Sequence, residues 1–180
     1  MSLLIGFAGA TNLTQEAQKS GGWGYQYCLH YARPHLLHKD NSCLFVSSVD
    51  TGRWADVEKD CIKFGGHLAS AANQQELESI WKVFANNVNH IWMGGVKGYE
   101  TAPFSDPSHA VAKNKDGWFW VDGAGVVDGN LWPDAGQPDD GGGVEFCAHL
   151  LATLARLNDC CCSTCGLMDG KMRGICRIRP

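Results

Sequence analysis

Between Gln137 and Cys147 the chain reads QPDDGGGVEFC, which sets Gln137, Asp139, Asp140 and Glu145 into one glycine-rich run. All four side chains carry hard oxygen atoms, and three of them carry negative charge. Carboxylates that face one another repel unless something positive lies between them. A cation is the simplest partner, and calcium accepts about 6 to 8 oxygens from carboxylates and amide carbonyls. A QPDD run taken alone is equally compatible with a solvated acidic surface. The elements around it must decide.

Residues from Met1 to about Lys39 are polar and glycine-dotted, without heptads or strand alternation, and read as a loose extension. Cys43-Leu44-Phe45-Val46 then reads as a short strand, and Asp50-Thr51-Gly52 as a turn able to cap a helix. Trp54, Val57, Cys61 and Phe64 recur at helical spacing, and Gly65-Gly66 stops that helix. A second helix starts at Asn73, with Glu76 placed as in a capping box, and buries Leu77, Ile80, Trp81 and Phe84. Beyond it the pattern turns to β. Ile91–Gly95 and Trp118–Val121 read as strands, the second ending in an Asp122-Gly123 turn, and Glu145–Leu150 and Gly174–Ile178 as closing strands. The stretch from Ala124 to Val144 reads as one long loop, and loops of that length in compact domains commonly carry function.

A chain of 180 residues with 44% apolar content suits one globular unit. A net charge of -4, with Lys and Arg scattered, argues against a nucleic-acid partner. No apolar run approaches the ~18 residues needed to span a bilayer, so no membrane span is expected. Nine cysteines point to a disulfide framework and an extracellular, secreted setting. The Asn12-Leu13-Thr14 sequon agrees with secretion. A zinc site built from cysteines of the 160–165 run with His30, His35 and His38 is the competing use of these residues, against disulfides and plain surface histidines.

The cysteine-bearing helix at Cys61, then Gly66-His67-Leu68-Ala69-Ser70, Trp92-Met93-Gly94-Gly95, Gln137-Pro138-Asp139, Glu145-Phe146-Cys147, Leu157-Asn158-Asp159 and Ile175-Cys176, in that order, resemble the C-type lectin-like domain. The resemblance covers roughly Cys28 to Pro180, with residues 1–27 as an N-terminal extension. It implies an α+β fold: two helices flanking small antiparallel sheets, a long calcium-binding loop and stabilising disulfides. It further implies bridges from Cys61 to Cys176 and from Cys147 to Cys162, with Cys28 to Cys43 as an additional amino-terminal bridge. The run Cys160-Cys161-Cys162-Ser163-Thr164-Cys165 departs from the family's single cysteine here. Bonding of Cys160 or Cys161 to Cys165 is the easier geometry for that run, and one thiol is left for a free cysteine or an intermolecular bridge.

By the same resemblance Gln137, Asp139, Glu145, Asn158 and Asp159 occupy the five calcium and sugar ligand positions, with Pro138 on a cis peptide bond. Two sugar hydroxyls would complete the coordination, accepting from amide NH2 groups and donating to carboxylates. Amide first and carboxylate third, as in Gln137 and Asp139, resembles the galactose-type arrangement, so galactose or N-acetylgalactosamine glycans are the expected partners. Gly141-Gly142-Gly143 supplies no ring to stack on the sugar. Trp132 is the candidate to do so from the other side, and a core position is its competing reading. Leu157 and Phe146 also depart from the family, the latter arguing against a second calcium.

The rival function is a lectin-like domain that binds protein, mineral or ice without sugar. No nucleophile elbow, His-Glu-x-x-His helix or phosphate loop is present, so an enzyme is not expected. His67 and His149 lie in apolar strand contexts and read as core residues rather than bases. Disulfide-linked or non-covalent oligomers would raise the strength of weak single sites.

Overall fold

The computed structural model describes residues 22–50, 52–84, 90–98, 115–133, 136–151, 153–163 and 172–180. The Asn12 sequon and Cys165 lie outside them. The described chain forms helices α1 (Trp23–His30), α2 (Trp54–Lys63) and α3 (Gln74–Phe84). Its strands are β1 (His35–Leu37), β2 (Cys43–Val46), β3 (His67–Leu68), β4 (His90–Lys97), β5 (Trp118–Trp120), β6 (Gly125–Val126), β7 (Glu145–Leu151), β8 (Leu157–Cys161) and β9 (Ile175–Ile178). They build one sheet of order β1-β2-β9-β3 and a second of order β6-β5-β4-β7-β8, with antiparallel pairing throughout. The fold is α+β, as the sequence implies. No helix among the described residues is long and apolar enough to cross a membrane.

Helix α2 buries Val57 and Cys61, and Gly65 ends it at φ 81°, the left-handed conformation that glycine adopts without a Cβ penalty. Its N-cap is Arg53 with no side-chain cap bond; the expected capping turn Asp50-Thr51-Gly52 runs through Thr51, which lies outside the described residues. Helix α3 starts as its sequence predicts. The Glu76 N–H donates to Asn73 Oδ1 over 3.0 Å, while the Glu76 carboxylate turns back to the Ala72 N–H.

The segment read as a loose extension up to about Lys39 is instead structured from Trp23. Helix α1 packs Trp23 and Tyr27 on Phe64, with ring centroids 5.0 and 4.8 Å apart, and β1 pairs with β2. Gly24 explains why sequence pattern missed it. A Cβ there would lie 1.7 Å from the Phe64 carbonyl oxygen, so a residue that weakens a helix in isolation is what lets this helix dock. The expected long loop after Ala124 likewise contains β6, hydrogen-bonded to β5, and a 3-10 turn at Gly129–Leu131.

Three disulfides between described residues tie the layers together. Cys28–Cys43 joins α1 to β2, Cys61–Cys176 joins α2 to β9 across a separation of 115 residues, and Cys147–Cys162 joins β7 to the end of β8. Between them lies a core of Trp92, Trp118, Trp132, Leu77, Ile80, Met93 and Leu150, each essentially inaccessible to solvent. One buried polar knot crosses this region: Arg177 on β9 donates to Ser70 Oγ and to Glu76, and Ser70 Oγ donates to Asp122 Oδ2 over 2.6 Å. It fixes α3 and the β5–β6 turn to the first sheet, leaving β7 and β8 to carry the acidic loop.

Candidate functional site

Glu145 opens β7, and Asn158 and Asp159 lie on its antiparallel neighbour β8, where His149 faces Asn158 and Ala148 faces Asp159. Gln137 and Asp139 sit on the loop that enters β7. That loop turns tightly because Asp140, Gly142 and Gly143 take positive φ values of 48°, 72° and 73°. The Gln137–Pro138 peptide is cis.

Side chains of the loop and of β8 bond the loop backbone. Asp159 accepts from the Asp139 N–H over 3.1 Å on one oxygen and from the Asp140 N–H over 2.8 Å on the other. Glu145 Oε2 accepts from the Gly141 N–H over 2.8 Å, and Asp140 Oδ1 accepts from the Glu145 N–H over 3.0 Å. Asp140 is buried and spends its carboxylate on the loop itself, a role its sequence position did not reveal. Oxygens of Asp139, Glu145 and Asp159 converge to within 4.8 Å of one another. Among the described residues this is the group of His, Cys, Asp and Glu side chains that gathers as a metal site would; no cluster of His30, His35 and His38 with the cysteines of the 160–165 run gathers among them, and Cys160 and Cys162 are in disulfides.

Burial raises the Asp159 pKa above the ordinary aspartate value, the N–H bonds from Asp140 and Asp139 pull it down, and the Asp139 charge pushes it up. Burial also raises the Glu145 pKa, against the Gly141 bond, and Asp159, Asp139 and Asp140 each add to the rise. A cation among these oxygens would replace mutual repulsion with attraction. Gln137 Oε1 supplies an independent sign that the residues fit one: it is buried and accepts no hydrogen bond among the described residues. A buried carbonyl without a partner is costly, and a calcium ligand is one use that removes the cost.

Of the remaining candidates, Asn158 is half-buried, and its Nδ2 reaches His149 Nε2 and the Asp159 carbonyl. Trp132 is corrected from a sugar-stacking candidate to a core residue. It is 1% exposed, and its ring centroid lies 4.8 Å from that of Trp118, because the Gly129–Leu131 turn carries it inward. His149 is buried as expected, with burial, reinforced by His90, lowering its pKa to about 3. His67 is exposed and pairs with Glu58, because the strand β3 context spans only two residues and presents it outward. Cys160 is disulfide-bonded and Cys161 is half-buried as a thiol. The His149 pairing was the feature sequence reasoning missed; the register of β7 against β8 is the signal that contains it.

The family sequence pattern of the C-type lectin domain matches residues 50–168, and the chain belongs to that family. It is 29% identical over 114 residues to the lactose-binding lectin l-2 of Anguilla japonica, covering 62% of this chain and 59% of that protein. It therefore spans less than two thirds of that relative. Identity to the galactose-specific lectin nattectin of Thalassophryne nattereri is 31% over 155 residues, covering 84% of this chain and 79% of that one. Solved structures with the same fold include a mouse scavenger receptor C-type lectin carbohydrate-recognition domain (TM-score 0.58, 24% identity, 82% of this chain and 98% of that one). A calcium-independent type II antifreeze protein also superposes (TM-score 0.56, 20% identity, 83% of this chain and 98% of that one). Family membership makes this a lectin-type domain; the fold alone does not choose its ligand.

Proposed function

We propose that the chain is a secreted, calcium-dependent carbohydrate-binding protein of galactose type, with Gln137, Asp139, Glu145, Asn158 and Asp159 as the cation ligands. The observation that carries this reading is the convergence of the Asp139, Glu145 and Asp159 oxygens beside the unpartnered Gln137 carbonyl. Bound there, calcium supplies a Lewis-acidic centre with coordination positions that two vicinal sugar hydroxyls can fill. The protein's part is to exchange hydrogen bonds with the same hydroxyls. Gln137 offers an NH2 donor, Asn158 offers its amide oxygen, and Asp139 and Glu145 offer acceptors, so their order around the ion selects the sugar's stereochemistry. Amide at 137 and carboxylate at 139 supports galactose or N-acetylgalactosamine, and the lactose- and galactose-named relatives agree with that class.

One observation favours a second reading, a protein, mineral or ice ligand without sugar: with Trp132 buried and Gly141–Gly143 in the loop, neither supplies a ring to cover the apolar face of a hexose. Retention on immobilised galactose separates the two. The proposed function predicts retention in calcium, release by a chelator and no retention on immobilised mannose. Passage through the galactose column in calcium would contradict it and favour the second reading.

A further inference from the structure

The orientation of the Asn158 amide is decided by the hydrogen-bonding capacity of its neighbours. Its Nδ2 lies 2.6 Å from the backbone carbonyl of Asp159 and 3.1 Å from Nε2 of His149. A carbonyl only accepts, so the amide nitrogen is the atom on that side, and its second hydrogen goes to His149. Nε2 of His149 must then be unprotonated. The ring proton sits on Nδ1, which lies 3.1 Å from Nδ1 of His90, and His90 accepts there while keeping its own proton on Nε2. His149 is 2% exposed, stands opposite Asn158 in the β7–β8 register, and has Trp92 edge-on at 6.0 Å between ring centroids. Flipping the amide would set Oδ1 against the Asp159 carbonyl, which is an acceptor whichever tautomer His149 adopts.

We propose that His149 is a positioning residue of the cation site: as the fixed acceptor for Asn158 Nδ2, it makes Oδ1 rather than the amino group the atom that Asn158 presents to calcium, and His90 holds His149 in the required tautomer. This role rests on the calcium reading above. It assigns His149 and His90 to the site although neither touches the ion. Partners that orient a metal ligand typically change metal affinity about 10- to 100-fold when lost.

Two measurements test it. Nitrogen NMR of the wild-type protein should find His149 Nε2 unprotonated and Nδ1 protonated, with scalar coupling across the hydrogen bond from Asn158 Nδ2. A protonated Nε2 overturns the proposal without any mutation. Calorimetric titration of calcium should show His149→Leu weakened about 10- to 100-fold and His149→Gln, whose side-chain carbonyl reaches a similar position as an acceptor, within about threefold of wild type. Melting in chelator confirms that each variant is folded. A Leu variant that binds calcium as wild type does, or a Gln variant weakened as much as Leu, overturns the role of His149 alone. Wild-type protein that binds no calcium overturns the calcium reading and this role together.

Discussion

Asp159 uses its two oxygens to take two consecutive backbone N–H groups of the loop, and the same carboxylate belongs to the acidic cluster. Its charge therefore matters to the ion and its acceptors to the loop, and the two can be separated. Asp159→Asn keeps one acceptor and removes the charge, so calcium affinity should fall more than about tenfold while the chelated protein melts within a few degrees of wild type. Equal calcium affinity would remove Asp159 from the ligand set. The raised pKa values of Glu145 and Asp159 set the direction of a pH effect. In calcium-free protein the fold favours the protonated carboxyls, so the stabilising contribution of these two groups is full below their unfolded values near pH 4 and is lost as pH rises through the folded values. Calcium requires the ionised forms. The rise in Tm that calcium produces should accordingly be largest at neutral pH and shrink as pH falls towards about 4 to 5, beginning above the ordinary carboxylate range. A rise independent of pH would show that these carboxylates do not hold the ion.

At the scale of elements, the sequence reading succeeded where a local rule and the tertiary fold agree. Helix α3 is such a case, with its periodic apolar face and its Asn73 cap. Asn73→Ala should cost about 1 kcal/mol, a Tm decrease of about 2 to 4 °C, and leave calcium affinity unchanged. A Tm equal to wild type would mean the cap bond contributes nothing net. Helix α1 and strand β6 were not legible, because each forms against propensity. Gly24 weakens α1 locally and admits Phe64, and β6 is two residues of exposed Gly-Val held by pairing to β5. The site divides the same way. Gln137, Asp139, Glu145, Asn158 and Asp159 could be named because residue type and order carry the family's chemistry. The anchoring role of Asp140 and the His90–His149–Asn158 chain depend on strand register and on a left-handed turn, which no short motif encodes.

For the whole molecule, the Cys61–Cys176 bridge and the pairing of β2 with β9 join chain segments far apart in sequence, and the acidic loop is built on the second sheet, away from that closure. Replacing both cysteines with alanine should destabilise the calcium-free protein by about 2 to 4 kcal/mol by freeing the unfolded chain, with the calcium affinity of the folded fraction retained. Loss of calcium affinity in the folded fraction would instead tie the bridge to the site. Stabilisation by the ion itself follows mass action, about 2.7 kcal/mol at a hundredfold excess over Kd. The central claim is that the acidic loop is a calcium site that selects galactose-type sugars. Its most direct test is calorimetric titration of calcium into chelator-stripped protein, followed by galactose, N-acetylgalactosamine and mannose into the loaded sample. One calcium per chain, followed by heat from galactose or N-acetylgalactosamine and none from mannose, is the predicted result; no heat from calcium would contradict the account at its root.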